Sequence, residues 1–330
     1  MSVPPLDPIV RKIADCGRIA ITAHLRPDGD SLSTALGLAF ALEDMGKDVI
    51  VVNKDKTPFP FSHFPDCARI IIGQIPAQGY DAVILLECAD VSRSGQERLA
   101  GYFKINIDHH YSNDFYADIN WVDPQASAVG EMALELCERL PVKLTPRIAG
   151  HLYCAIVSDT GSFQFSNTTA RAFEACRRLV LAGADPIKTS EALYHNACPG
   201  KIKLLGRVLS TLEMRAEGTI AVISMFRRDL QAVNLLEVDT EDITTQARSI
   251  KGVQAVLFFK EMEPEVFRVS IRSKGDAHAA AIAEHFGGGG HAHAAGFTVY
   301  GPFERLIREV PETVAGLLSA RSGGAPPASP

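Results

Sequence analysis

Short apolar runs alternate with stretches of helical spacing through the first half of the chain. Residues 18–24 (RIAITAH) are apolar and rich in β-branched side chains, which predicts a buried strand, and a polar loop over 25–30 follows. Beyond it, Leu32, Ala35, Leu36, Ala39, Phe40 and Leu42 recur at helical spacing, and Gly46 stands where a left-handed residue ends a helix. Residues 49–53, 82–88 and 104–108 read as further buried strands, and helices are expected over about 126–140, 146–157 and 169–182. Such alternation predicts a parallel sheet wrapped by helices. The second half changes character. A helix is expected over 202–214, strands over 219–225, 254–260 and 266–272, and a hairpin around residues 261–265. A helix over 277–286, a glycine run at 287–290 and a closing helix over 303–318 complete the pattern. The expected fold class is α/β: an N-terminal parallel-sheet domain over 1–190, a linker over 191–203, a smaller α/β domain over 204–320 and a disordered tail over 321–330.

The composition narrows the class. A chain of 330 residues holds about two domains at roughly 150 residues each. No stretch approaches the roughly 18 to 20 apolar residues of a membrane span, and the start lacks a basic region followed by an apolar one, so a cytoplasmic protein without a membrane partner is expected. The seven cysteines form no Cys-x-x-Cys pair, which fits reduced thiols better than disulfides or structural zinc. The net charge of −6 argues against binding long nucleic acid by bulk electrostatics. Any nucleic-acid site must be local.

Six clusters carry chemistry. His24-x-x-x-Asp28-x-Asp30 follows the first strand, with Pro27 and Gly29 shaping the loop. Glu87-Cys88-Ala89-Asp90 and Asp108-His109-His110 stand at the ends of later strands, and Asp159-Thr160-Gly161-Ser162 follows a helix. Taken singly, these are a helix cap, solvated acids, a surface histidine pair and a turn. Together they place His, Asp and Glu side chains at the ends of several successive elements on one sheet edge, where open α/β sheets bind ligands. Carboxylates with imidazoles and no thiolate suit two octahedral divalent ions, Mn²⁺ ahead of Mg²⁺, with Co²⁺ a further substitute. Two such ions activate water for phosphoester hydrolysis. In the second half, Gly287–Gly290 with His291, and Arg272-Ser273-Lys274, offer backbone amides and cations to an anion.

The run AHLRPDGDS at 23–31, Asp108-His109-His110, SDTGSFQFSNTT at 158–169, Arg272-Ser273-Lys274 and GGGGHAHAAG at 287–296 together resemble the DHH phosphoesterases with a DHH-associated C-terminal domain, in their nanoRNase branch. The resemblance implies a metal-binding DHH domain, a substrate-binding second domain and an active-site cleft between them. It further implies that His24 and Asp28 bind one Mn²⁺, that Asp30, His109 and Asp159 bind the other, and that Glu87 bridges. His110 would contact the scissile phosphate, with Asp108 orienting the histidine pair. Arg272, Ser273, Gly288, Gly289, Gly290 and His291 would hold substrate. The implied substrates are short RNA oligonucleotides, hydrolysed to 5′-mononucleotides, or pAp.

Glu87 departs from the pattern, which carries aspartate there. Its extra methylene moves the carboxylate outward by about 1.5 Å. Asp90 is then a substitute ligand or an outer partner. A cyclic-dinucleotide phosphodiesterase, a pyrophosphatase or exopolyphosphatase, and a nucleotide-binding regulator with a weakened metal site are the alternatives. A homodimer is the base-rate expectation for assembly.

Overall fold

The computed structural model describes residues 6–322 apart from 59–60, 62–63, 196, 236–239, 276 and 292. The chain forms two compact units, Met1–Asn196 and Ala197–Pro330.

In the first unit, β1 (Arg18–Ala23), β2 (Asp48–Asn53), β3 (Ile71–Ile72), β4 (Ala82–Leu86), β5 (Lys104–Asp108) and β6 (Ile119–Val122) form one sheet in the order β3-β2-β1-β4-β5-β6. Every pairing in it is parallel. Strand order reverses between β1 and β4, so the crevice at their carboxyl ends is the expected ligand position. α1 (Leu6–Asp15), α2 (Gly29–Asp44), α3 (Val129–Arg139), α4 (Pro146–Asp159) and α5 (Ala170–Leu181) bury their apolar sides in one core with Ile19, Ile21, Ile84 and Ile107. The opposite face packs Ala20, Val83 and Leu85 against Ile75, Leu99 and Tyr102. Those three come from the segment between β3 and β5, whose described helical structure beyond β4 is one short 3-10 turn at Val91–Ser94. Helices therefore cover one face, and irregular chain covers the other. The expectation of a sheet wrapped by helices fails on this second face because the β4–β5 crossover is too rich in Gly, Ser and Arg to carry an apolar helical stripe.

Two expected boundaries move at the site. β4 ends at Leu86 because Glu87 adopts φ +54°, and Asp159 is the last residue of α4 and lies outside the turn that follows. α6 (Pro186–Tyr194) and α7 (Pro199–Leu209) occupy most of the stretch expected to be a linker, and the residues expected to extend the second helix instead form β7 (Glu213–Arg215).

The second unit holds β7, β8 (Ile220–Met225), β9 (Ala255–Glu263), β10 (Val266–Ser273), β11 (Gly289–His291) and β12 (Ala294–Tyr300), in the order β11-β12-β10-β9-β8-β7. β8 and β9 are parallel and the other pairs antiparallel. α10 (Ala279–His285) and α11 (Phe303–Ser322) pack on one face through Leu257, Phe259 and Val269, while α7 and α9 (Glu241–Arg248) pack on the other through Ala221, Ile223 and Phe258. The short α8 (Arg227–Ala232) follows β8. Residues 323–330, most of the expected tail, lie outside the described residues.

Candidate metal centre

Three neighbouring strands deliver the site. His24 follows β1, Glu87 follows β4, and Asp108 closes β5 ahead of His109 and His110. α2 begins after the short loop 24–28, with Asp28 as its N-cap and Asp30 in its first turn. The ligand atoms gather into two groups, His24 with Asp28 and Glu87, and Asp30 with Glu87 and His109, each within 4.8 Å. Glu87 belongs to both. His24 Nε2 lies 3.7 Å from Asp28 Oδ2 and 3.8 Å from Glu87 Oε2. Asp159 Oδ2 lies 3.9 Å from His109 Nε2, beside the second group.

Each ligand is held by a partner behind it. His24 Nδ1 donates to Leu25 O at 2.8 Å and His109 Nδ1 to Ala126 O at 3.2 Å, which leaves both Nε2 atoms as lone-pair acceptors for a cation. Asp30 is completely buried and accepts from Val129 N (2.6 Å), Gly130 N (2.9 Å) and Thr34 Oγ1 (2.9 Å), so the N-terminus of α3 fixes its carboxylate. Asp159 accepts from Asn167 Nδ2 at 3.0 Å. It sits at the C-terminal end of α4, where the helix dipole disfavours an anion, so its placement needs a compensating cation. Asp108 is buried and accepts from the amides of His109 and His110, from His110 Nδ1 at 2.7 Å and from Asn113 Nδ2 at 2.6 Å. Its carboxylate thereby fixes both histidines and leaves His110 Nε2 facing away from Asp108.

The electrostatics report a deficit of positive charge. Burial, then the charges of Asp28, Asp30 and Asp159, push the Glu87 carboxyl well above the usual range. Burial and Asp30 push Asp159 up to about 7. Asp30 is also raised, chiefly by burial, while Asp28 stays low because the His24 imidazole and Ser31 outweigh its desolvation. One Glu87 oxygen is buried with no hydrogen-bond partner among the described residues. One orphaned oxygen and mutually repelling carboxylates beside two imidazoles whose Nε2 atoms can accept a cation fit a pair of divalent ions.

Asp90 does not join this cluster. Its carboxylate caps the 3-10 turn, accepting from Ser92 N and Arg93 N, and so is spent as a cap. Asn113 and Asn167, which orient Asp108 and Asp159, were not singled out in the sequence; the second sits inside the SDTGSFQFSNTT run and no pattern marks an amide as an outer partner.

In the second unit, register places Arg272 opposite Ala294 and Ala294 opposite His291, a row across β10, β12 and β11. The side chain of His291 lies outside the described residues. Ser273 is buried, and its hydroxyl donates to Ala277 O at 2.5 Å, closing the turn before α10. A Cβ on Gly288 would lie 2.2 Å from Gly296 O, and one on Gly290, at φ +152°, would lie 2.5 Å from Ala294 O. Packing against β12 therefore demands those two glycines, whereas Gly289 has open space beside it.

A profile of the DHH family N-terminal domain matches residues 18–156, and one of the DHHA1 domain matches 233–319. The bifunctional oligoribonuclease and PAP phosphatase NrnA of Thermus thermophilus is 32% identical over 309 residues, 92% of each chain. An exopolyphosphatase-related protein of Bacteroides fragilis superposes with a TM-score of 0.85 at 23% identity, over 95% of this chain and 97% of that one. RecJ of Thermus thermophilus, in complex with Mn²⁺, gives a TM-score of 0.52 at 15% identity, over 97% of this chain and 55% of that one. At these identities the two structures speak for the fold.

Proposed function

Because this chain belongs to the DHH phosphoesterase family, with a relative described as a bifunctional oligoribonuclease and PAP phosphatase, we propose that it hydrolyses short oligoribonucleotides to 5′-mononucleotides and pAp to AMP. The observation that carries the reading is the pair of ligand groups sharing Glu87. Mn²⁺ is the proposed ion, supported by the mixed carboxylate and imidazole donor set and by the Mn²⁺ complex of RecJ.

His24, Asp28 and Glu87 would hold one ion, and Asp30, Glu87, His109 and Asp159 the other. When bound, the ions would supply an activated water and neutralise phosphate oxygens. The residues themselves do the rest. His110, fixed through Nδ1 by Asp108, directs Nε2 to a non-bridging phosphate oxygen and stabilises its developing charge. Arg272, with His291 and the glycine-bearing β11, is assigned the grip on a substrate phosphate.

The test incubates purified protein with Mn²⁺ and, in parallel, a 5′-labelled dinucleotide, pAp and cyclic di-AMP. Turnover of the dinucleotide or pAp is expected. Turnover of cyclic di-AMP alone, or tight binding with no turnover, would replace this reading with a cyclic-dinucleotide phosphodiesterase or a regulator. Asp30→Ala and His110→Ala should each lower the rate by orders of magnitude, and only Asp30→Ala should lower metal content. Arg272→Ala should chiefly raise KM, since its guanidinium meets phosphate in both ground and transition states.

A further inference from the structure

We propose that Glu131, pinned by Arg171, is a positioning residue that sets one half of the metal centre, the half formed by Asp30, His109 and Asp159; this rests on the reading of the site as a two-ion centre. The segment 126–130 touches all three ligands through its backbone or one intervening side chain. Ala126 O accepts from His109 Nδ1. Ser127 O accepts at 2.9 Å from Asn167 Nδ2, which also donates to Asp159 Oδ2. Val129 N and Gly130 N donate to the two oxygens of Asp30. None of the hydrogen bonds described for this segment reaches His24 or Asp28.

What holds the segment is Glu131. Its carboxylate is buried, and Oε2 accepts from Ser127 N at 3.2 Å and from Ser127 Oγ at 2.6 Å. Oε1 pairs with Arg171 Nε at 2.5 Å. Arg171 belongs to α5, which starts three residues after Asn167, and its other nitrogens reach Asp123 and Glu135. The Asp123 amide in turn donates to Asp108 O, at the base of the histidine pair. One guanidinium thus ties the start of α3, the start of α5 and the chain beyond β6 into a single latch. Two hydrogen bonds from Ser127 hold one oxygen of the buried carboxylate and the Arg171 charge lies against the other, so moving the carboxylate moves Ser127 and, with it, the carbonyl and amides that aim three ligands.

The prediction is asymmetric. Wild-type protein is titrated with Mn²⁺ while free Mn²⁺ is followed by electron paramagnetic resonance, beside Glu131→Gln, which keeps the volume and turns an amide toward Arg171. Two ions are expected in the wild type. Glu131→Gln should keep one with unchanged affinity and weaken the other by about ten-fold or more, the range seen when outer partners of a metal ligand are lost. Its kcat should fall at limiting Mn²⁺ and recover at excess, with KM for substrate unchanged. Wild-type affinity for both ions in Glu131→Gln, or equal weakening of both, overturns the latch. Fewer than two ions in the wild type overturns the two-ion reading itself and the latch with it. Should Glu131→Gln fail to fold, Ser127→Ala, which deletes a single hydrogen bond into Glu131, decides on the same asymmetry.

Discussion

Glu87 sits at φ +54°, 2% exposed, with one carboxylate oxygen lacking a hydrogen-bond partner among the described residues. A left-handed backbone is several-fold more acceptable to aspartate than to glutamate, so Glu87→Asp gains in the backbone what it gives up in reach. Glu87→Asp is expected to keep Mn²⁺-dependent hydrolysis within a few-fold of the parent. Glu87→Ala, which removes the shared ligand, should lose about a hundred-fold or more. Steady-state rates at saturating Mn²⁺ decide between them, and an undiminished Ala variant would remove Glu87 from the centre. The same cluster sets a pH dependence. Glu87, Asp30 and Asp159 titrate above the roughly 4 of an unfolded carboxyl, with Asp159 at about 7, because burial and one another's charge disfavour their anions. The metal-free fold then binds more protons than the unfolded chain above about pH 4, and the contribution of Asp159 to its stability, complete below that pH, is lost as pH rises through about 7, with Glu87 and Asp30 acting in the same direction. Cation binding expels those protons. Calorimetry in buffers of different ionisation enthalpy should show proton release on Mn²⁺ binding at pH 6 that shrinks by pH 8.5.

At the level of elements, the central strands and α2 to α5 were legible in the sequence because buried parallel strands are continuous apolar runs and their helices carry unbroken apolar stripes. α1 and β6 were not. α1 buries Leu6, Ile9 and Ile13, but Pro8 in its first turn interrupts the helical signal, and β6 (Ile119–Val122) is an edge strand of four residues with no run to detect. That His24, Asp28, Asp30, Glu87 and His109 gather was legible because imidazoles and carboxylates at strand ends announce themselves. Asn113, Asn167 and the Glu131–Arg171 latch were not, since nothing local distinguishes them from surface polar residues; only the fold brings Arg171 to Glu131, forty positions away. Close helix packing gives a further test. A Cβ on Gly130 would lie 2.4 Å from Ala155 Cβ and 3.2 Å from Thr34 Oγ1, at the meeting of α3, α4 and α2. Gly130→Ala should therefore destabilise the protein by about 1–3 kcal/mol, read from the denaturant midpoint, in spite of the better helix propensity of alanine. A midpoint at or above the parent's would show that the three helices yield.

For the whole molecule, the net charge of −6 acquires a meaning. Part of it is the buried carboxylate cluster, so the grip on nucleic acid must come from a few cations and amides. If about two phosphates are neutralised, affinity for a dinucleotide should weaken by about seven-fold between 50 and 200 mM salt, following a single-strand slope of roughly −0.7 per contact. A drop of a thousand-fold would indicate an extended basic track, which would suit long strands.

The burial of α2 has one more consequence. Its residues are buried without a break from Gly29 to Leu42, and β1 and β4 on either side of the reversal are buried almost throughout. Asp28 and Asp30 therefore hang from the part of the chain whose amides should exchange with solvent most slowly, at the free energy of global opening. Asp30 thus cannot leave the centre by local fraying, whereas Glu87, His109 and Asp159, at strand and helix ends, can. The slowest-exchanging amides should map to α2, β1 and β4, and an Asp30 that stays in place up to the melting of that core should keep its amide partners, Val129 and Gly130, protected to the same temperature.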